Sequence, residues 1–282
     1  MTMYTRANGH TVAIESQATF LAALTKCDTF NLDDFDQFFK ICEDLIKSEA
    51  EVTTGALSNV RGSWYEWLIA LHAIKFASDN IVNSVMVKLP NVASFDCSRL
   101  FVDETFNLVE DLRAKVKQAE DVSLITSNPD FCLINRNKLP ENLPNLTNLA
   151  DLVAVDQLYQ TASRKCDLDD IVSYVAVKTS LRPDRRLQIS HEGSLIKALY
   201  KHIQTRNWLI DAPGVKFYAF TQKYNPADAK GLKTVATHSI IDVSSRPQSA
   251  VDKMFRINSS SDIFNALQEI SIQPAKAPDR LP

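Results

Sequence analysis

The stretch IVSYVAVKTSLRPDRRLQISHEGSLIKALYKHIQTRNW, residues 171–208, decides how the rest of the chain is read. Its opening run, Ile171 to Thr179, is rich in β-branched and aromatic side chains and has the length of a buried strand. Pro183 then breaks the run. From Arg185 to Arg206 the apolar positions Leu195, Ile196, Leu199, Tyr200 and Ile203 recur at helical spacing. A strand feeding a long helix is the building unit of an α/β fold. Lys178 interrupts the apolar strand, and an ammonium buried there without a partner is costly, so it is the first candidate for a chemical role.

Working outward, Ser123 to Thr126 and Phe131 to Ile134 read as strand segments bent at Asn128-Pro129, and Ser84 to Lys88 as a short strand. Val215 to Phe220 and Ile240 to Val243 supply further strands downstream. Helices are expected near Pro247 to Phe255 and over Ser260 to Ile270. The first quarter is helical by pattern, with Phe20, Leu21 and Leu24 followed by Phe35, Phe38, Phe39, Ile41, Leu45 and Ile46. A loop with Thr53, Thr54, Gly55 and Ser58 leads to an amphipathic helix from Ser63 to about Ala77, striped by Trp64, Trp67, Leu68 and Leu71; another helix runs from Asp103 to Glu120. The segment Arg136 to Thr147, with Pro140 and Pro144, is expected to be a long loop. The expectation is a single α/β domain with a mixed central β-sheet flanked by helices. A helical N-terminal elaboration covers 1–62, the core 63–272 and a Pro-rich tail 273–282.

The chain has 282 residues, 45% of them hydrophobic and 23% charged, enough to bury a sizeable core. No apolar run approaches a membrane span and the start lacks a signal-peptide layout, so a cytoplasmic protein with no membrane partner is expected. Five scattered cysteines without a C-x-x-C pair suggest neither a disulfide framework nor a zinc site; buried free thiols are expected. There is no phosphate-binding glycine loop of the usual nucleotide-dependent kinds. The net charge of -3 disfavours a uniformly basic DNA binder. From Lys178 to Arg206, however, Lys178, Arg182, Arg185, Arg186, Lys197, Lys201 and Arg206 face only Asp184 and Glu192. Such a segment predicts a focused basic surface.

Three features carry candidate chemistry: Asp130 after Pro129 at a strand bend, Lys178 on a later strand, and Glu192 on the helix that follows. Hydrolysing a phosphodiester needs carboxylates to hold Mg²⁺ and a cation to orient the attacking water or stabilise charge on phosphorus. Asp, Lys and Glu supply those parts, although so short a pattern recurs by chance in many chains.

Beyond these residues, the sequence resembles the type II restriction endonucleases of the PD-(D/E)xK superfamily, in the branch that reads CCGG-core sites, including purine-CCGG-pyrimidine. The segments that carry the resemblance are GSWYEWLIAL (62–71), KLPNVASFD (88–96), SLITSNPDF (123–131), the run from Val177 to Trp208, and LKTVATHSIIDV (232–243). The resemblance implies Mg²⁺-dependent cleavage of double-stranded DNA to 5′-phosphate ends with 5′ overhangs. It implies that Asp130 and Glu192 ligate the metal, that Lys178 is the catalytic lysine, and that Glu66 is an accessory acid and metal ligand. It further implies that Arg182, Asp184 and Arg185 read the core, with Arg186 and Lys201 on the DNA. Donor and acceptor chemistry agrees, since Arg donates twice to guanine and Asp accepts from cytosine N4. Asn59 and Arg61 are candidates for the outer base pairs. The usual arrangement has an acid two residues before the lysine, where this chain has Ala176, so Glu192 is expected to replace it from another element.

Plainer readings stand beside these. Glu66 fits a solvated helix face, Asp184 a surface ion pair, His191 and His238 ordinary core or surface histidines, and Trp208 either core or an exposed contact. A catalytically inactive DNA-binding relative and a repair or recombination nuclease are the alternatives. Cutting a palindrome predicts at least a homodimer, and the resemblance extends this to a homotetramer.

Overall fold

The computed structural model describes residues 3–7, 11–92, 94–120, 123–124, 128–146, 149–209, 212–241 and 247–272. Strands β1 (Tyr4–Ala7) and β2 (Thr11–Ile14) pair antiparallel ahead of three helices, α1 (Ser16–Leu24), α2 (Phe35–Glu49) and α3 (Thr54–Asp79). Asp34 caps α2 by accepting from Asp36 N at 2.8 Å, and the helix buries Phe35, Phe38, Phe39, Cys42 and Ile46 along one face. Helix α3 starts nine residues earlier than its apolar stripe suggested. Thr53 accepts from Ala56 N at 3.2 Å, a cap worth about 1 kcal/mol, and Gly55 and Ser58 lie within the helix rather than in a loop. The expected subregion boundary at residue 62 therefore falls inside α3.

The remaining elements alternate: β3 (Ser84–Lys88), α4 (Asp103–Glu120), β4 (Phe131–Asn135), α5 (Leu149–Ala162), β5 (Ile171–Lys178), α6 (Pro183–Arg206), β6 (Lys216–Thr221), α7 (Pro226–Leu232), α8 (His238–Ile241), β7 (Lys253–Arg256) and α9 (Ser260–Ile272). The central sheet runs β3-β4-β5-β6-β7, antiparallel across the first two pairs and parallel across the last two. It is the expected mixed sheet flanked by helices. Strand β5 is in the middle, which is why Tyr174, Val175, Ala176 and Val177 are all buried. Pro183 occupies the first turn of α6, where its missing N–H is no loss, so it opens the helix instead of breaking the chain.

Three local expectations fail, and one helix was not foreseen. Ile240 to Val243 was expected as a strand, but α8 covers His238–Ile241; residues 242 and 243 lie outside the described residues. Residues 247–255 were expected to be helical, and instead lead into β7, an edge strand paired with β6. Ser123 and Leu124 carry no regular structure, and the rest of that expected strand, 125 and 126, lies outside the described residues. Helix α5 begins where the loop after Pro144 was expected to end, and its register was unread. The expected tail, 273–282, also lies outside the described residues.

The chain's two ends are tied through α3. Tyr65 Oη donates to Ile257 O at 2.8 Å, and Phe35 N donates to Asn258 O at 2.6 Å. Fully buried His72 donates from Nδ1 to Leu68 O at 2.7 Å, which leaves Nε2 to accept from Ser260 Oγ at 2.9 Å; that hydroxyl accepts in turn from Leu32 N at 3.0 Å. All five cysteines are free thiols; Cys42, Cys97, Cys132 and Cys166 are buried, as expected, and Cys27 is half-buried.

Helix α6 lies unusually close to the sheet. A Cβ on Gly193 would stand 2.2 Å from Ala250 O and 2.9 Å from Phe217 Cδ1, so only glycine permits this approach. Gly193→Ala is expected to cost about 2 kcal/mol, the scale of overpacking, in denaturant unfolding; unchanged stability would show that the backbone at Ala250 yields. His72 supplies an acid-sensitive element. Burial first lowers its pKa from 6.5 to about 4, against the hydrogen bond to Leu68. Because the folded pKa is the lower one, the unfolded chain takes up the proton first, and stability is lost as pH falls from about 6.5 towards 4, by about 3 kcal/mol. The difference between wild type and His72→Gln in unfolding free energy across that range measures it.

Candidate active site

The site forms where β4 begins and β5 ends. Phe131 pairs with Val175 in the antiparallel register, so Asp130, one residue outside the pair, arrives beside the end of β5. Its Oδ2 accepts from Val177 N at 2.6 Å and from Lys178 Nζ at 3.1 Å. Asp130 O also accepts from Leu89 N at 2.9 Å, tying the residue to the end of β3. The Lys178–Asp130 pair is largely shielded, with side chains 18% and 10% exposed. Burial alone would lower the Lys178 pKa, but Asp130, then Glu192 and Glu66, outweigh it and hold the ammonium above its ordinary range. Lys178 is thus a fixed cation. Ala176, on the same face of β5, is fully buried, and no acid occupies the place two residues before the lysine.

Glu192 comes from α6, half-buried, within electrostatic reach of both Lys178 and Asp130. Burial raises its pKa, Lys178 pulls it back, Asp130 raises it again, and Gln188 Nε2 steadies it by donating to Oε1 at 2.8 Å. The close approach at neighbouring Gly193 sets how near the helix brings this carboxylate to the sheet. Glu66 arrives from α3, where its sequence neighbours Tyr65 and Trp67 are buried. It is not on a solvated face: burial, then the charge of Asp130, pushes its pKa up to about 7 against the pull of Lys88 and Lys178. The structure therefore brings together all four residues expected to do chemistry.

Lys88 and Asp156 complete the cluster. Lys88 Nζ donates to Asp156 Oδ1 at 2.8 Å, and both act on Glu66. Sequence reading gave neither a role. The signal for Lys88 was the one that marked Lys178, a lysine ending an apolar β-rich run; Asp156 lies on the unread α5. Four carboxylates, Glu66, Asp130, Glu192 and Asp156, thus surround two ammonium groups, a surplus of negative charge of the size a divalent cation neutralises. All are hard oxygen donors. Among the described residues no three acidic, histidine or cysteine side chains close into a ready metal cage. An ion held by one or two carboxylates and completed by water suits magnesium, whereas calcium seeks a fuller protein shell.

The expected basic surface is smaller than the sequence suggested. Lys197 is buried, donating to Ser249 O and to Asp252 Oδ2, each at 2.6 Å. Arg186 pairs with Asp228 at 2.8 Å and braces α6 to α7, and Arg206 reaches Asp111 at 3.4 Å. Arg61 bridges Asp36 and Glu43 and lies over the Phe39 ring, clamping α2 to α3. What stays exposed is the start of α6: Arg182 and Asp184, 65% and 67% exposed, form a loose 3.6 Å pair. Arg185 beside them leans on Ser180 Oγ at 3.3 Å. Asn59 is exposed on α3, Lys201 half-buried on α6, His191 exposed and His238 half-buried. Trp208 follows α6 with φ 58° and is 85% exposed.

The sequence model of the Cfr10I/Bse634I restriction endonuclease family matches residues 12–272. The type II restriction enzyme Cfr10I of Citrobacter freundii is 40% identical over 275 residues, covering 93% of this chain and 96% of its own. The crystal structure of the type IIF restriction endonuclease Bse634I with cognate DNA superposes with a TM-score of 0.83 at 31% identity, over 96% of this chain and 97% of that one. A second Bse634I structure gives 0.80 at 32% identity, over 95% and 96%. With family match, identity and fold in agreement along nearly the whole length, the chain belongs to the Cfr10I/Bse634I family of restriction endonucleases.

Proposed function

We propose that this restriction endonuclease uses Mg²⁺ to cut both strands of DNA at a palindromic CCGG-core site, purine-CCGG-pyrimidine, leaving 5′-phosphate ends with 5′ overhangs. The observation that carries the reading is that one helix, α6, bears both Arg182, Asp184 and Arg185 at its exposed start and Glu192 beside the Asp130–Lys178 pair. A single rigid element couples reading to cutting. The Bse634I structure with cognate DNA supports DNA as the partner.

Asp130 and Glu192, with Glu66, would hold the metal. When bound, Mg²⁺ polarises the phosphoryl oxygen and lowers the pKa of an attacking water. Val177 N–H and Lys178 fix the Asp130 carboxylate, and Gln188 fixes Glu192. Lys178, held protonated by its carboxylate neighbours, serves as a cation that orients water and offsets charge developing on phosphorus, not as a base. At the start of α6 the Arg182–Asp184 pair is so exposed that it contributes little by itself, and DNA can part it without cost to the fold. Arg185 is pre-oriented by Ser180. Arg61 and Arg186 are assigned as clamps, while Asn59 and Lys201 stand as secondary DNA contacts.

The chain acts as one domain and at least as a homodimer, because two active sites match the two strands of a palindrome. Exposed Trp208 and Leu209 offer an apolar surface for the second pairing of a homotetramer. Among the described residues no helix is long and apolar enough to cross a membrane, and we place the enzyme in the cytoplasm.

Incubating the protein with plasmid and Mg²⁺ and sequencing the ends tests the reading. Discrete fragments opening within CCGG support it; intact plasmid or a smear overturns it. Glu192→Ala is expected to keep DNA binding and lose nearly all cleavage, with Ala176→Glu in that background recovering part; near-normal cutting would remove Glu192 from the metal site. Arg182→Ala and Arg185→Ala should each cost about 1 to 3 kcal/mol of discrimination between cognate and random DNA in binding assays, with the fold intact. Equal loss on both DNAs would make them backbone contacts.

A further inference from the structure

Affinity for DNA comes largely from neutralising phosphates, yet Lys178, Arg186, Lys197 and Arg206 are already paired within the fold. The sheet register shows which other cations stand near the reading end of α6. Thr221, the last residue of β6, pairs with Lys178 on one side and with Arg256, the last residue of β7, on the other. Three parallel strands therefore end at one rim, and the chain leaving β6 emerges beside the chain that leaves β5 for α6. That segment, 222–237, carries Lys223, Lys230 and Lys233, all exposed, against one acid, Asp228. Asp228 is buried and already engaged: Oδ1 accepts from Arg186 Nη1 at 2.8 Å and Oδ2 from Asn225 N at 3.0 Å. It thereby caps α7 and ties it to the first turns of α6. Asp36, which reaches the same segment by accepting from Gln222 Nε2 at 3.2 Å, is bridged by Arg61. Arg256 donates to Tyr224 O at 2.8 Å and lies over the Tyr224 ring, ordering the turn between Lys223 and α7. Among the described residues no ion pair engages Lys223, Lys230 or Lys233.

We propose that the turn after β6 and the outer face of α7 form a phosphate-gripping surface, in which Lys223 and Lys230, with Lys233 three residues further on, hold the DNA backbone beside the bases read by α6. The inference rests on the reading of the α6 start as the base-reading element and adds the surface that supplies affinity. Lysine suits the task, because a flexible point charge follows a backbone without demanding a base, whereas Arg182 and Arg185 carry the planar fork that discriminates. The buried Arg186–Asp228 pair fixes the gripping element to the reading element, so that phosphate contacts set the register in which the arginines meet the groove. The three lysines touch no reacting atom.

The test is equilibrium binding of the intact protein, with Ca²⁺ in place of Mg²⁺, to a duplex carrying a purine-CCGG-pyrimidine site and to a random duplex over a range of salt concentrations. The variants are Lys223→Ala, Lys230→Ala, the two combined, Lys223→Arg, and the control Lys165→Ala. Lys165 is exposed at the other end of the central strand: its carbonyl accepts from Lys138 Nζ at 3.1 Å, and Lys138 pairs with Asp170, the residue before β5. Each alanine at 223 or 230 is expected to lower the slope of log affinity against log salt by about 1 per subunit, equally on both duplexes, and the pair by about twice that. Lys223→Arg and Lys165→Ala should keep the wild-type slope, and saturating enzyme with Mg²⁺ should open the same sites in every variant. An unchanged slope in the double variant overturns the proposal, as does a loss confined to the cognate duplex, which would make these lysines base readers. An equal loss for Lys165→Ala overturns it too, by reducing the effect to net charge. A change of oligomeric size by light scattering with the slope unchanged would give the face to a second copy of the chain instead. Wild type that leaves plasmid intact removes the proposed function, whereas wild type that cuts beside variants of unchanged slope removes this surface alone.

Discussion

An ammonium and a carboxylate at the end of the central sheet, Lys178 and Asp130 at 3.1 Å, impose order on everything around them. Neither could be left there alone, since removing one partner of an enclosed pair strands the other charge. Holding them together requires that β4 start and β5 end at the same level, which the antiparallel register through Phe131 and Val175 provides, and that Val177 N–H take the same carboxylate oxygen. The sheet is thereby built around a charge pair that gives little stability and much position. Two more carboxylates, Glu192 and Glu66, then converge from separate helices and leave the site short of positive charge. Burial raises both of their pKa values, a state a bound divalent cation relieves.

The reading of the sequence succeeded where one element settles its own structure and failed where a neighbour does. The strand at Ile171–Lys178 is legible because a central strand buried on both faces shows a continuous apolar run. The four residues of β7 carry no periodicity of their own, and pairing with β6 makes them a strand. At Ile240 the bias runs the other way: β-branched composition suggested a strand and the chain turns into a short helix. Lys178 was visible as a charge out of place in apolar company, and Asp130 as the acid after Pro129 at a strand bend. Glu192 stood out as the acid on the helix that follows, but its expected place as the replacement for the missing acid came through the family resemblance, because nothing in a helix sequence states which strand it will lie against. Lys88 had the same local signal as Lys178, but Asp156, the partner that gives it meaning, sits on a helix that followed a proline-marked loop and went unread.

Charge counting along a segment misjudged the basic surface for a related reason. Seven cations between Lys178 and Arg206 look like a DNA-binding face, yet Lys178, Arg186 and Lys197 are committed to Asp130, Asp228 and Asp252. Each of those acids lies on a different part of the chain, so the neutralisation is invisible in sequence order. The cations left exposed at the start of α6 are few, and they are positioned rather than numerous. This suits an enzyme that reads bases more than one that only grips phosphate, because discrimination comes from placed donors and non-specific affinity from the sum of charge.

Placement, in turn, depends on how rigidly α6 is seated. Pro183 fixes its first turn, Arg186 ties it to α7 through Asp228, Gly193 lets it approach Ala250 O, and buried Lys197 anchors it to Ser249 O and Asp252. These four constraints occur at successive levels along the helix, and Glu192 lies between the second and the fourth. These contacts brace the helix between its start, proposed to read DNA, and the Glu192 carboxylate. If the start of α6 reads DNA and Glu192 holds the metal, as proposed, recognition and metal binding are mechanically coupled on this helix, and the missing acid at Ala176 is the sequence mark of that arrangement. A carboxylate on β5 would belong to the sheet whatever the DNA, whereas one on α6 takes its position from the element proposed to contact the bases.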